Sequence, residues 1–408
     1  MIEGRPEDAR IVDSGAIGER VDARVVLLTN FVPPYRLPVF EALNDRVSSL
    51  TVLVSTPMEG NRSWKPAFGH LDVRVQKTIT LSRRSRHPAG FSDLSYLHVP
   101  WGLIRQLHSL RPDVVISGEL GTRTLLSALY CFLAKRPPLI VWATLSERTE
   151  QGRGCVRRTI RRWILRRADR VIVNGASGER YVLGYGVPAN RIDHIPYVSR
   201  SEHGEADARP RALGPVRNLL FVGQLTERKG LAQYLSALDA WARSHPFEDI
   251  TLTVVGSGPQ REAIEHFRPG GRLVIEVLGD RHPGALSAFY ARADALVFPT
   301  LADEWGLVVN EALAAGVPVI GSIHSQAIEE LCEEGKTGWR FDPESRTSTL
   351  SAIEKALTTT ANDLAAMRKS ARARVARLTP EWAAGRLVAS MRTALAERDS
   401  SVVGGSVP

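Results

Sequence analysis

Asp303 and Glu311 stand on either side of a lone glycine in "FPTLADEWGLVVNEALAAGVPVIGS", residues 298–322, where a strand-like apolar run hands over to a helical one. Gly306 leads the helical run, so the backbone N–H groups of Gly306, Leu307 and Val308 sit at a helix N-terminus, without intrahelical acceptors. Such a terminus attracts anions, and a residue without a side chain lets a phosphate or a sugar approach the backbone closely. Glu311 follows about one and a half turns inside the helix, where its carboxylate can return toward the same end. A carboxylate beside an anion site is useful where it accepts hydrogen bonds from neutral hydroxyls. Hydroxyls together with phosphate are the chemistry of a nucleotide sugar. The plain structural alternative makes Asp303 a helix cap and Glu311 part of a solvated face.

A second stretch adds positive charge. "FVGQLTERKG", residues 221–230, is a strand, a turn at Gly223, and the pair Arg228–Lys229 before a helix. Two cations at a strand–helix turn suit a diphosphate. A third stretch, "VVGSGP" (254–259), runs a strand into a turn of small residues. Other patterns carry no chemistry. "GKT" at 335–337 lacks the glycine a phosphate loop needs five residues earlier, where Glu330 stands. With no Asp-x-Asp, H-E-x-x-H or G-x-S-x-G pattern, the expectation is no metal and no serine nucleophile.

The elements that position these residues alternate. Short apolar runs such as "DVVISG", "PLIVWAT", "NLLFVG" and "DALVFPT" are separated by helical segments, the pattern of parallel sheets covered on both faces. The polar stretch 199–215, rich in Pro and Gly, interrupts the alternation and reads as a linker. The expected organisation is a disordered tail (1–22), an N-terminal Rossmann-like domain (23–198), the linker, and a C-terminal Rossmann-like domain (216–380). A last helix and tail (381–408) cross back to the first domain in one version of this reading. Ligands in such sheets bind outside the carboxyl ends of the strands.

Taken in order, G-x-L-x-x-x-K-G, V-G-x-G-P and strand–P-T–acid–x7–Glu–A-x-A-x-G-x-P-V resemble the retaining glycosyltransferases of family 4. The resemblance is continuous over the second half and looser over the first, through "NFVPPYRLPVFEAL". It implies the α/β GT-B fold, two Rossmann-like doubly wound domains facing a central cleft. It also implies transfer of a sugar from a nucleotide-sugar donor, with retention and without a metal or other cofactor. Asp303 and Glu311 would be the two acids of the family's E-x7-E motif, with aspartate in place of the usual first glutamate and Glu304 beside it as a substitute. Lys229 and Asp303 would be catalytic. Gly223, Arg228, Leu278, Gly279, Gly306, Leu307, Val308 and Glu311 would bind the donor. Tyr35, Arg36 and Glu147 would lie on the acceptor side. Gln224 stands where the family commonly has a phosphate-binding arginine, leaving that role to Arg228 or Arg36. Other GT-B chemistry, such as epimerisation of a sugar nucleotide, is an alternative, as is a non-catalytic arginine-rich binder of membrane or nucleic acid.

Composition narrows the partners. Residues 1–200 carry 30 Lys and Arg against 18 Asp and Glu, while the remainder carries 23 against 26, so positive charge is confined to the first half. "CVRRTIRRWILRRADR" (155–170) reads as a basic amphipathic helix with Trp163 among its apolar residues, and "SRRSRH" (82–87) as a basic loop. Together they suggest an anionic membrane surface and a glycan or lipid-linked acceptor, with nucleic acid not expected. Three scattered cysteines and the lack of an apolar run long enough to span a bilayer point to a cytoplasmic protein, peripheral on the inner face of the membrane in the membrane-bound version. The family role would then be synthesis of cell-surface polysaccharide or glycolipid.

Overall fold

A computed structural model describes residues 20–60, 65–134, 137–199 and 214–403. The chain divides into two compact units. Unit 1 comprises Met1–Ser85, Leu94–Arg200 and Leu378–Pro408, and unit 2 comprises Arg86–Asp93 and Ser201–Arg377.

Unit 1 begins with β1 (Val21–Thr29), α1 (Leu37–Asn44), β2 (Val47–Val54), β3 (Asp72–Val75), β4 (Thr78–Arg86) and β5 (Ser92–Pro100). It continues with α2 (Leu103–Leu110), β6 (Val114–Gly118), α3 (Thr122–Leu133), β7 (Leu139–Ala143), α4 (Cys155–Arg167), β8 (Arg170–Val173), α5 (Ala176–Leu183) and β9 (Ile192–His194). Seven strands form one parallel sheet in the order β3-β2-β1-β6-β7-β8-β9, and β4 and β5 form a separate two-stranded ribbon. β6, β7 and β8 are buried at every position, which is why they read as unbroken apolar runs. The core of this unit gathers Val26, Leu28, Val115, Val141, Ile164 and Val171.

Unit 2 contains β10 (Asn218–Val222), α6 (Leu231–Ser244), β11 (Asp249–Val255), α7 (Arg261–Glu265), β12 (Arg272–Gly279), α8 (Leu286–Arg292), β13 (Ala295–Phe298) and α9 (Leu307–Ala314). After them come β14 (Val319–Ser322), α10 (Gln326–Leu331), β15 (Gly338–Phe341), α11 (Arg346–Leu357) and α12 (Ala361–Val375). Its parallel sheet has the order β12-β11-β10-β13-β14-β15, the doubly wound arrangement, with the direction of winding reversing between β10 and β13. Phe221, Leu252, Val297 and Ile320 from four of these strands meet in its core.

Three expectations change. β1 starts at Val21, so the last two residues assigned to the tail belong to the sheet; residues 1–19 of that tail and 200–213 of the linker lie outside the described residues. "SRRSRH" is not a loop, because Ser82–Arg86 belong to β4, paired with β5. The second compact unit ends at Arg377 instead of residue 380.

The last helix, α13 (Pro380–Val403), belongs to unit 1 and packs on α1. Leu387 and Met391 are fully buried, and Ala394 joins them. Polar contacts fix the helix at two strand ends: Ser390 Oγ donates to Asp193 Oδ2 at 2.7 Å, and Arg398 grips Asp169 through Nε and Nη2 at 2.7 and 2.8 Å. The helix therefore completes the cover of the first sheet. Leu387→Ala should lower the stability of the chain by roughly 2–5 kcal/mol, the cost of a cavity at a fully buried leucine. Urea denaturation checks this, and a loss under about 0.5 kcal/mol, the size of an ordinary surface substitution, would show that the helix is not integral to unit 1.

Candidate active site

In unit 2 the loops after β10 and β13 flank the reversal in strand order, where an open α/β sheet leaves a crevice at its carboxyl edge. The two stretches singled out in the sequence supply these loops. Gly223 ends β10, and its N–H donates to Val255 O at 3.0 Å; the N–H of Gly256 in turn donates to Gly279 O at 2.9 Å. Gly256 has φ of +139°, and a Cβ there would lie 1.9 Å from the carbonyl oxygen of Gly223. This explains "VVGSGP": its first glycine is a requirement of backbone packing that keeps the carboxyl edge low. Gly223 and Gly279, with Leu278 beside it, thus lie at the ends of the strands on either side of β11.

Arg228 and Lys229 form a short 3-10 turn before α6 that is stitched to the loop after β13. Leu301 N and Thr300 Oγ1 donate to Arg228 O at 2.8 and 3.1 Å, while Arg228 Nη1 donates to Ala302 O at 3.1 Å. Lys229 Nζ donates to Asp303 Oδ2, its ammonium 5.3 Å from the centre of the Phe298 ring, and Arg228 Nη1 lies 3.7 Å from the same carboxylate oxygen. Asp303 is 8% exposed. Burial pushes its carboxyl up, but Lys229 and then Arg228 outweigh that effect and hold it below the ordinary aspartate range. Asp303 is not the cap of α9: its Oδ1 accepts from Trp305 N at 3.4 Å, and Gly306 occupies the cap position. Glu304, the expected substitute, is exposed.

Gly306 serves a purpose beyond ligand access. It has φ of +110°, and a Cβ would fall 2.5 Å from the Phe298 ring, so packing as well as conformation demands glycine. Leu307 and Val308, partly buried, begin α9 behind it. The loop is braced by contacts the sequence did not reveal. Trp305, 2% exposed, donates from Nε1 to Asn310 Oδ1 at 2.7 Å, and Ser325 Oγ donates to Trp305 O.

Glu311 accepts a hydrogen bond from the hydroxyl of buried Tyr290 on α8 at 2.8 Å. Burial raises its carboxyl above the ordinary range and the tyrosine only partly offsets this. Among the described residues one group could present three ligand atoms to a metal: His324, Asp342 and Glu344, within 4.8 Å of one another, at the ends of β14 and β15.

In unit 1, two of the three residues expected on the acceptor side come together. Arg36 is buried, donates from Nη2 to Tyr197 Oη at 2.9 Å, and stacks over Trp142 and Tyr197 at 4.5 and 4.9 Å from the ring centres. Tyr35 meets the Tyr197 ring edge-on at 5.5 Å, and these residues line a small apolar pocket. Glu147 instead pairs with Arg180 Nε at 2.7 Å and its N–H donates to Ser177 Oγ. A polar group missed in the sequence occupies the loops after β1 and β6, where strand order reverses in this unit. The Asn30 amide donates to Glu119 at 3.0 Å and to Glu59 at 3.2 Å, and buried Arg123 donates to Asn30 Oδ1 at 2.9 Å. Glu119 has φ of +67°, a strained setting for a side-chain-bearing residue and one that tends to mark functional loops. No spacing in "ISGELG" announces it.

The basic helix also differs from its expected form. Arg161 is buried in α4 and bonded to Glu150 and Tyr181, and Trp163 packs against the core of unit 1 with Arg167 stacked 4.1 Å from its ring centre. Trp163 is therefore partly buried against the core rather than fully presented to solvent. Among the described residues no helix is long and apolar enough to cross a membrane.

The Lys229–Asp303 pair has a pH signature. The carboxyl of Asp303 is lower in the folded state than in the unfolded chain, so the pair's contribution is complete above the unfolded value of about 3.9 and is lost as pH falls through the lower folded value. Asp303→Asn should cost about 3–5 kcal/mol at neutral pH by leaving Lys229 without its anion, and the deficit should shrink in acid below that value. Equal denaturation midpoints for both proteins at pH 7 would refute this.

Two family models match the chain: "Glycosyl transferase 4-like domain" over residues 32–198 and "Glycosyl transferases group 1" over residues 216–359. Glycogen synthase of Mycobacterium tuberculosis is 32% identical over 235 residues, 54% of this chain and 52% of that one. D-inositol 3-phosphate glycosyltransferase of Paenarthrobacter aurescens is 26% identical over 191 residues, 43% of this chain and 45% of that one. The chain spans about half the length of these curated relatives. Among solved structures, the lipopolysaccharide outer core galactosyltransferase WaaB superposes with a TM-score of 0.64 at 11% identity, covering 90% of this chain and 99% of WaaB. The Anabaena protein HepE, solved in complex with UDP and glucose, gives 0.61 at 16% identity, covering 93% and 100%. The two matched segments fall one in each sheet-bearing unit and the neighbours share the two-sheet architecture, so the chain belongs to the family 4-like glycosyltransferases of GT-B fold.

Proposed function

We propose that this protein is a retaining, metal-independent glycosyltransferase that moves a sugar from a nucleotide-sugar donor to a glycan or lipid-linked acceptor, in the synthesis of a cell-surface polysaccharide or glycolipid at the inner face of the membrane. The observation that carries this reading is the junction between β10 and β13. There a low glycine edge, two cations and a helix N-terminus converge where a doubly wound sheet takes its ligand. HepE, of the same fold, is solved with UDP-glucose, which supports the donor class.

On this reading Glu311 accepts from the donor's ribose hydroxyls, and Lys229 and Arg228 balance the diphosphate. Asp303 keeps the Lys229 ammonium charged and aimed, and faces the transferred sugar with the backbone of Gly306–Val308. Gly223, Leu278 and Gly279 border the base. In the transfer the bond between the anomeric carbon and the diphosphate oxygen breaks as the acceptor oxygen bonds to the same face. The acceptor proton passes to the leaving diphosphate oxygen. The protein then contributes position and charge stabilisation, which need no nucleophile of its own. Tyr35 and Arg36 border the acceptor, and Glu119 joins them in place of Glu147.

A thermal-shift screen of nucleotide sugars tests the donor assignment, since a ligand at 100 times its Kd stabilises by about 2.7 kcal/mol. Stabilisation by no nucleotide sugar would overturn it. Glu311→Gln should weaken the best donor roughly 10- to 150-fold, the worth of a charged acceptor on buried hydroxyls. Because burial raises the Glu311 carboxyl, wild-type donor affinity should fall with acidification at a pH above the ordinary glutamate value of about 4.3, and Glu311→Gln should abolish that fall. An unchanged acid limb in the variant would remove Glu311 from the donor site. Transfer should also survive EDTA. Loss of activity restored by a divalent ion would instead assign a metal, with His324, Asp342 and Glu344 the place to look.

A further inference from the structure

Among the described residues the β4–β5 ribbon is a sheet of two strands, and it carries large apolar side chains in solvent. Ile79 and Leu81 on β4 are 57% and 56% exposed, Leu97 on β5 is 42% exposed, and Trp101 just beyond β5 is 76% exposed. Side chains alternate along a strand, so Ile79, Leu81 and Arg83 share one face of β4. The opposite face is covered only around His98, which is buried and whose Nδ1 lies 2.9 Å from Oγ1 of exposed Thr80; Ser82 and Arg84 farther along that face are exposed. On β5, Leu97 is odd-numbered and His98 even, which sets Leu97 on the other face from His98, and Trp101 follows directly after the strand. The backbone joins the two outer rows where Trp101 N donates to Lys77 O at 2.8 Å. The result is an aliphatic face with an exposed tryptophan, bounded by Lys77 and Arg83.

This face sits on the charged half of the protein. Twelve of the fifteen large apolar side chains most exposed among the described residues belong to unit 1 and three to unit 2. The same asymmetry governs charge, 30 basic against 18 acidic residues over 1–200. Exposed aliphatic residues beside lysine and arginine, with an unburied tryptophan, match the interface of an anionic bilayer. Acyl chains take the apolar row, headgroup phosphates take the cations, and tryptophan lies at the boundary. A protein partner or a second copy of this chain would take the apolar face, but a second copy would set like charges against each other.

We propose that the outer face of the β4–β5 ribbon docks this protein on anionic lipid bilayers. The inference deepens the proposed transfer to a membrane-borne acceptor, yet vesicle binding needs no donor and no catalysis, so each reading can fail without the other. It moves the membrane contact from α4, whose Trp163 and Arg161 face inward, to a ribbon whose tryptophan faces out.

The test is co-sedimentation of the full chain with phosphatidylcholine vesicles, with and without phosphatidylglycerol. The wild type should bind the anionic vesicles, bind the neutral ones far less, and dissociate as salt rises. The double variant Leu81→Glu, Trp101→Glu should lose roughly tenfold or more in partitioning, while its thermal shift with nucleotide sugar stays that of the wild type. Arg158→Gln with Arg162→Gln on the exposed face of α4 should cost less than the ribbon variant. The proposal is overturned if the wild type ignores anionic vesicles at low salt, if the ribbon variant partitions as the wild type does, or if only the α4 variant is released. A wild-type dimer that the ribbon substitutions convert to monomer, without vesicle binding, would assign the face to self-association and overturn it equally.

Discussion

The bonding of Lys229 to Asp303 holds together the part of unit 2 on which everything else at its carboxyl edge depends. It joins the loop after β10 to the loop after β13 across the reversal in strand order. A buried carboxylate is unfavourable unless it is paired, so Asp303 commits both loops to one arrangement. Around it, hydrogen bonds from Leu301 and Thr300 to the carbonyl of Arg228 repeat the same connection through backbone and hydroxyl. The fold itself therefore orders the cations suited to a diphosphate, through contacts within the protein.

The glycines belong to the same constraint. Gly256 lets one loop lie directly on another, and Gly306 lets the entry to α9 press on Phe298, over which the Lys229 ammonium also lies. A glycine placed only for ligand access would border empty space; these two border protein. Their contribution to ligand binding is indirect, through a low and rigid strand edge. Tyr290 does the same for Glu311, fixing a carboxylate that burial would otherwise favour in its neutral form.

The two units repeat one topology with different chemistry at the reversal point. Unit 2 places cations and a helix terminus there. Unit 1 places Glu119, Glu59, Asn30 and Arg123 there, two carboxylates held by one amide and one guanidinium. The surface differs as well, since exposed apolar residues and positive charge both concentrate on unit 1. A division between donor chemistry in one unit and acceptor and membrane chemistry in the other is consistent with both differences.

The sequence by itself determined the alternation of strands and helices and the two sheets, and it singled out Lys229 and Asp303, which the fold brings into contact. These are legible because fully buried parallel strands must be apolar throughout, and because strand–turn–helix junctions confine polar residues to short, ordered stretches. Partners were not legible. Whether Asp303 caps a helix or binds Lys229 depends on a contact across 74 residues, and whether Arg36 faces phosphate or stacks on Trp142 depends on β7. The basic helix shows the same limit. Helical spacing put arginines and Trp163 on a helix, but which side meets the sheet was decided by packing against the core of unit 1. The ribbon was hidden for a related reason: "TITLS" alternates over only five residues before the polar run "RRSR", and only pairing with β5 gives its residues a face.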